Sequence, residues 1–135
     1  MPINRDGLKL LIVEDDEFLQ KILLTKFSRE GFDVTTASDG EKALEALTKD
    51  KPQLVLLDLI LPKMTGFDVL AEMRVRPDFQ KLPVIILSNL GQEEDIKRAK
   101  ELGALDFLVK ADISVNEVVR KVKELYARHL GESGA

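Results

Sequence analysis

Five short apolar runs punctuate the chain: Leu8–Val13, Asp33–Ala37, Gln53–Leu57, Pro83–Leu87 and Leu105–Val109. Between and after them lie longer segments whose apolar residues recur at helical spacing. Runs that are apolar without alternation belong to strands buried on both faces. Strands that return in the same direction each need a long crossover, and a helix fills it. The pattern predicts an α/β fold in which one sheet of five parallel strands is covered by helices on both sides.

Local signals agree with that division. Leu19, Ile22, Leu23 and Phe27 form one helical stripe, and Val115, Val118, Val119, Val122 and Tyr126 form another near the C-terminus. Ser38 with Glu41, and Ser114 with Glu117, have the spacing of capping boxes. Gly31 and Gly103 stand where helices one and four should end, as C′ residues. The helix after Gln92 is the thinnest, with Ile96 and Ala99 almost alone on its apolar face, and weak burial leaves such a helix freer to shift. No repeat, low-complexity tract or linker interrupts the pattern. We expect an N-terminal extension over 1–7, one domain over 8–129 and a flexible tail over 130–135.

Composition removes several classes of function. A net charge of −4 opposes non-specific nucleic-acid binding, which needs a basic face to displace counterions. The absence of cysteine excludes disulfides and thiolate metal sites. The first residues, MPINRDGLK, lack the apolar core of a signal peptide, and no uncharged apolar run is long enough to cross a bilayer. A cytoplasmic protein without membrane or direct nucleic-acid partners is the expectation.

In a doubly wound sheet the carboxyl ends of the strands share one edge, and ligands bind there. Strand one ends in four consecutive acids, Glu14, Asp15, Asp16 and Glu17; strand three ends at Asp58, strand four at Ser88 and strand five at Lys110. Strand two ends in Thr36, Ala37 and Ser38 without a charge, as suits an edge strand away from a site. Acids after a strand often cap the next helix, and Asp16 and Glu17 suit that role. Asp58 is harder to explain this way, because a lone carboxylate set among leucines costs several kcal/mol unless it is paired, roughly as for other buried charges. Glu14, Asp15 and Asp58 together would repel, and a hard divalent cation relieves the repulsion. Oxygen donors that leave room for water suit Mg2+ better than zinc, and the single histidine, His129, lies far along the chain as an expected surface residue. Carboxylate, cation, ammonium and hydroxyl form a coherent set for phosphoryl transfer.

The motifs LLIVEDD, LVLLDLILPKMTGFDVL, PVIILSN and GALDFLVK occur in this order, within a match that covers residues 8–127. With them the chain resembles the receiver domain of two-component response regulators, in its stand-alone, chemotaxis-receiver-like form. The resemblance implies a flavodoxin-like (βα)5 fold with strand order 2-1-3-4-5. It implies that Asp58 takes a phosphoryl group from a histidine kinase or phosphotransfer protein. Asp15 and Asp58 would bind Mg2+, Glu14 mostly through a bound water, and the backbone carbonyl of Ile60 would be a further ligand. Ser88 would hydrogen-bond the phosphoryl group and Lys110 would pair with it. Pro62 and Gly66 match the turn after Asp58. Ser88 and Phe107 occupy the switch positions, although Phe107 also suits a plain core role. Helix four, strand five and helix five would present the switch to a downstream output protein, and a phosphorylation-dependent dimer is left open. Such a domain catalyses its own phosphoryl transfer and dephosphorylation while serving mainly as a signalling switch.

Three departures from the family pattern bear on these expectations. Ala111 replaces the proline that usually follows the lysine with a cis peptide; a cis bond without proline costs roughly 2.5–4 kcal/mol, so a trans bond is expected here. Asn89 stands where a small residue normally leaves room for the phosphoryl group, and its amide could donate to that group or obstruct it. Ile60 and Leu90 occupy the two positions that tune hydrolysis in the family, and neither can orient water, which implies a long-lived phosphoryl state. Alternative readings are a pseudo-receiver that binds without being phosphorylated and a Mg2+-dependent aspartyl-phosphate phosphatase, which would want an acid where Ile60 stands. A nucleotide-binding flavodoxin-like protein is a poorer match, because no glycine-rich loop follows strand one.

Overall fold

The computed structural model describes residues 7–132. Its strands are β1 (Lys9–Val13), β2 (Asp33–Ala37), β3 (Leu54–Leu57), β4 (Val84–Ser88) and β5 (Asp106–Val109). Its helices are α1 (Glu17–Arg29), α2 (Gly40–Asp50), α3 (Gly66–Val75), α4 (Glu93–Glu101) and α5 (Val115–Glu132). The strands form one sheet in the order β2-β1-β3-β4-β5, and every neighbouring pair is parallel. This is the doubly wound (βα)5 arrangement expected from the alternation of apolar runs. Four strands begin one residue later than the apolar runs suggested, a difference that moves no side chain to the other face.

Successive side chains of a strand point to opposite faces, so each apolar run feeds two cores at once. Leu11 and Val13 of β1, with Val55, Leu57, Val84 and Ile86, lie beneath Ala43 and Leu47 of α2 and Leu70 and Met73 of α3. Leu10 and Ile12, with Leu54, Leu56, Ile85 and Leu87, face Leu23 and Phe27 of α1 and Val118 and Val122 of α5. Phe27 and Phe32 close the second layer edge to face, with ring centroids 5.2 Å apart.

The helix ends show which local signals operate. Ser114 and Glu117 form the expected reciprocal cap at the start of α5, each side chain bonded to the other's backbone N–H at 3.2 and 3.0 Å. These bonds hold the Glu117 carboxyl below its usual range. At α2 the expectation fails. Asp39, not Ser38, is the N-cap, and its Oδ1 accepts from the Lys42 N–H at 2.8 Å. Both residues can cap, and the helix starts one residue later than Ser38 requires, so the carboxylate takes the place of the hydroxyl. Gly31 and Gly103 adopt positive φ of 93° and 86°. Each closes its helix with paired bonds, Phe32 N to Phe27 O and Gly31 N to Ser28 O after α1, Ala104 N to Ala99 O and Gly103 N to Lys100 O after α4. Helix α5 runs to Glu132, so residues 130–132 of the expected tail are helical, while 133–135 and 1–6 lie outside the described residues.

Helix α4 is the least anchored by burial, with Ala99 its one buried residue and Ile96 partly covered. Two arginines compensate. Arg98 of α4 lies over the Phe67 ring of α3, 4.2 Å from its centroid. Arg74, in the last turn of α3, donates to the backbone carbonyls of Leu102, Gly103, Phe79, Gln80 and Leu82. Those carbonyls lie just before β4 and β5, at the sheet edge opposite the carboxyl ends of the strands.

The cap at α2 separates two neighbouring residues experimentally. Asp39→Ala should lower unfolding free energy by about 1 kcal/mol, the usual cost of losing an N-cap, whereas Ser38→Ala should change it by a few tenths at most. Urea denaturation of the two variants checks this.

Candidate functional site

The carboxyl ends of β1, β3, β4 and β5 bring four predicted residues into direct contact. Asp58 is 3% exposed, and both of its carboxylate oxygens are engaged. Oδ1 accepts from Ser88 Oγ at 2.7 Å and from the Ile60 N–H at 3.1 Å. Oδ2 accepts from Lys110 Nζ at 2.7 Å. The same ammonium lies 2.6 Å from Glu14 Oε1. Burial pulls the Lys110 ammonium toward its neutral form, but the bonds from Asp58 and Glu14 outweigh it and hold its pKa above the usual lysine value.

Glu14 is 1% exposed, and burial raises its carboxyl pKa despite Lys110 and the Asp16 N–H, while the Asp58 charge adds to the rise. Its Oε2 accepts from the Asp16 N–H at 3.0 Å. Its Oε1 has the Lys110 charge beside it but no aligned hydrogen bond. A buried carboxylate oxygen without a properly directed donor is costly, and Lys110 compensates this one by charge.

Asp15 completes the cluster of acids from the exposed side. Carboxylate oxygens of Glu14, Asp15 and Asp58 all lie within 4.8 Å of one another. The donor set is oxygen only, one of its buried oxygens lacks a directed partner, and one acid faces solvent. These residues fit a hard divalent cation that keeps part of its water. Asp16 stands apart as the N-cap of α1, its Oδ1 accepting from Phe18 N and Leu19 N, which is the role expected for it.

The remaining predicted residues are placed differently. The Ile60 side chain is 52% exposed, while its N–H joins Asp58. Phe107 is buried in the layer under α3 and α4 rather than at the cluster. Asn89 is exposed beside Ser88, and Leu90 is partly covered. The Lys110–Ala111 bond is trans, since the described residues contain no cis peptide, and Lys110–Asp112 form a single 3-10 turn. Gly66 accounts for the shape of the loop after Asp58. A Cβ there would stand 2.2 Å from the Asp58 carbonyl oxygen and 2.6 Å from Leu59 Cα, so no side chain can be accommodated without moving the backbone that carries Asp58.

Two features escaped the sequence reading. Thr65 and Asp68 cap α3 reciprocally, and the T-x-x-D spacing could have revealed them. Gln20 of α1 donates from Nε2 to the Glu14 carbonyl at 2.8 Å and more weakly to the Ala37 carbonyl at 3.5 Å. No spacing rule marks a glutamine that bonds backbone across a loop.

Lys110 is the one positive charge between two buried acids. Lys110→Met should therefore cost about 3–5 kcal/mol near neutral pH, the usual penalty for stranding buried charge. The lysine's contribution is present below the ordinary lysine pKa of 10.5 and is lost as pH rises through its higher folded value. Toward acidic pH Glu14, whose pKa burial raises, takes up a proton and no longer strands a charge, so the difference between wild type and variant should shrink. Denaturation series at several pH values test both limbs.

Comparisons with known proteins identify the family and the fold. The family model for the response regulator receiver domain matches residues 10–123. The chain is 38% identical to a probable transcriptional regulator ycf27 of Guillardia theta, over 93% of this chain and 51% of that protein. It is 39% identical to the alkaline phosphatase synthesis transcriptional regulatory protein PhoP of Bacillus subtilis, over 89% of this chain and 49% of that one. The chain thus spans about half the length of the curated relatives it matches. Among solved structures, the Francisella response regulator 1452 receiver domain superposes with a TM-score of 0.81 at 31% identity, covering 91% of this chain and 99% of that one. A CheX-CheY-BeF3-Mg complex from Borrelia burgdorferi gives 0.81 at 31% identity and 90% of both chains.

Proposed function

Since the chain belongs to the response regulator receiver family, we propose that it is a phosphorylation-controlled switch in which Asp58 accepts a phosphoryl group from a histidine kinase or phosphotransfer protein. The observation that carries this reading is the convergence of Ser88, Lys110 and the Ile60 N–H on one buried carboxylate beside two further acids. In the transfer, an Asp58 oxygen attacks phosphorus and the P–N bond to the donor imidazole breaks. The imidazole leaves with that electron pair and takes up a proton. A new P–O bond makes the acyl phosphate.

Each residue has a role set by its charge. Lys110 balances negative charge on the phosphoryl oxygens, where it spreads in the transition state. Glu14, Asp15, Asp58 and the Ile60 carbonyl would hold Mg2+, which supplies positive charge against the same oxygens when bound. Ser88 donates to Asp58 in the unmodified state and is the hydroxyl best placed to turn toward an added phosphoryl oxygen. That turn vacates space ahead of Phe107 and couples the site to α4, β5 and α5, the surface we assign to a downstream output protein. Cytoplasmic placement suits this chemistry, and among the described residues no helix is long and apolar enough to cross a membrane.

The donor would approach over exposed apolar side chains. Phe18 is 76% exposed in the first turn of α1 and Ile60 52% exposed in the loop after Asp58, at the sheet edge that carries the acids. Exposed apolar groups around a buried charge offer a partner area to bury while excluding water from the transfer.

Incubation with Mg2+ and acetyl phosphate, followed by intact mass measurement, tests the reading. A phosphoryl adduct should form on wild type and be absent from Asp58→Asn; absence from both, in protein shown to bind Mg2+, would favour a binding module that is not phosphorylated. The lifetime of the adduct is a separate expectation. The side chains of Ile60 and Leu90 offer no hydrogen-bonding group to an attacking water, so the acyl phosphate should persist far beyond seconds in Mg2+ buffer. Decay within seconds, followed by mass after donor removal, would show that water is oriented by another group.

A further inference from the structure

Asp15 presents a puzzle of placement. It is the exposed member of the acid cluster, and its carboxylate has no hydrogen bond or ion pair among the described residues. Its position must therefore come from the backbone on either side. On the C-terminal side, Asp16 is fixed twice: its N–H donates to Glu14 Oε2, and its side chain caps α1. On the N-terminal side, the Glu14 N–H donates to the Ala37 carbonyl at 3.0 Å, which continues the pairing of β1 with β2 by one residue. The Glu14 carbonyl, the group joined directly to Asp15, lies beyond that ladder. Its side-chain partner is Gln20 Nε2, at 2.8 Å.

Gln20 is itself well held. It sits one turn into α1, where its own N–H donates to the Asp16 carbonyl at 2.9 Å, and its side chain also reaches the Ala37 carbonyl. One amide group thus bridges the end of β1 and the end of β2 from the helix that follows the acids. Rotation of the Glu14–Asp15 peptide would swing the Asp15 side chain and would also break the bond from Gln20.

We infer that Gln20 is a positioning residue for the cation site, holding the Glu14–Asp15 peptide so that the Asp15 carboxylate faces Glu14 and Asp58. The inference rests on the proposed divalent site at these acids. It assigns Gln20 no contact with the cation or with the reacting atoms. Loss of partners that orient metal-ligating groups typically weakens metal affinity about 10–100-fold, and that is the range expected here.

The test is a Mg2+ titration of the full chain followed by amide chemical shifts of Asp15 and Asp58, which report binding independently of phosphorylation. Gln20→Met keeps the length and removes the donor; it should weaken Mg2+ at least tenfold while amide shifts of β3, β4 and α5 stay native. Gln20→Arg restores an N–H donor and should recover most of the affinity, a recovery that a merely structural role would not give. Should Gln20→Met fail to fold, Gln20→Glu, which keeps the shape and turns the donor into an acceptor, should show the same loss. Affinity within twofold of wild type in the folded donor-free variant, or equal weakening by Gln20→Arg, would overturn the assignment. Absence of Mg2+ binding by wild type would instead overturn the proposed site itself, and the inference with it.

Discussion

A sheet covered on both faces has nowhere to keep charge except at the ends of its strands. Here Val13, Leu57 and Leu87 are still buried one residue before the chemistry begins, and Glu14, Asp58 and Ser88 follow at once. The parallel direction of all five strands then places those residues on one edge. The two apolar layers and the polar cluster are therefore products of the same constraint. The inner strands β1, β3 and β4 are buried up to their carboxyl ends, and all five strands end on the same side.

The cluster that results is unbalanced in charge. Three carboxylates meet one ammonium, which gives a formal charge of −2 when all three acids are ionised, equal and opposite to that of a divalent cation. Lys110 relieves part of the repulsion by lying between Glu14 and Asp58, at the start of the Lys110–Asp112 turn. Burial makes this arrangement sensitive. Glu14 and Asp58 are almost fully removed from water, so their charges are compensated by neighbours rather than by solvent.

Much of this was legible from residue order. The five apolar runs locate the strands to within a residue, because continuous burial leaves a strong pattern. Asp58 stands out as a charge inside leucines, and Glu14, Ser88 and Lys110 become meaningful once the strand ends are aligned. What escaped is governed by competition or by distance. Ser38 and Asp39 can each cap α2, and only the helix start decides between them. Residues 130–132 look like a tail by composition, yet they extend α5. Gln20 acts through a backbone carbonyl six residues earlier, and a glutamine on an amphipathic helix has no pattern that reveals such a bond. The pairing of Arg98 with Phe67 is likewise a contact between two helices that periodicity cannot show.

Arg74 gives the molecule an uneven mechanical character. Its guanidinium gathers carbonyls from the segment before β4 and the turn before β5, binding α3, α4 and two strand entries at a single point. One end of α4 is thereby tied to α3 and to the segment before β4, through the carbonyls of Leu102 and Gly103 that share the Arg74 guanidinium. Its other end, which follows the loop after Ser88, starts at Gln92 without a side-chain cap, so the two ends of this helix are anchored very unequally.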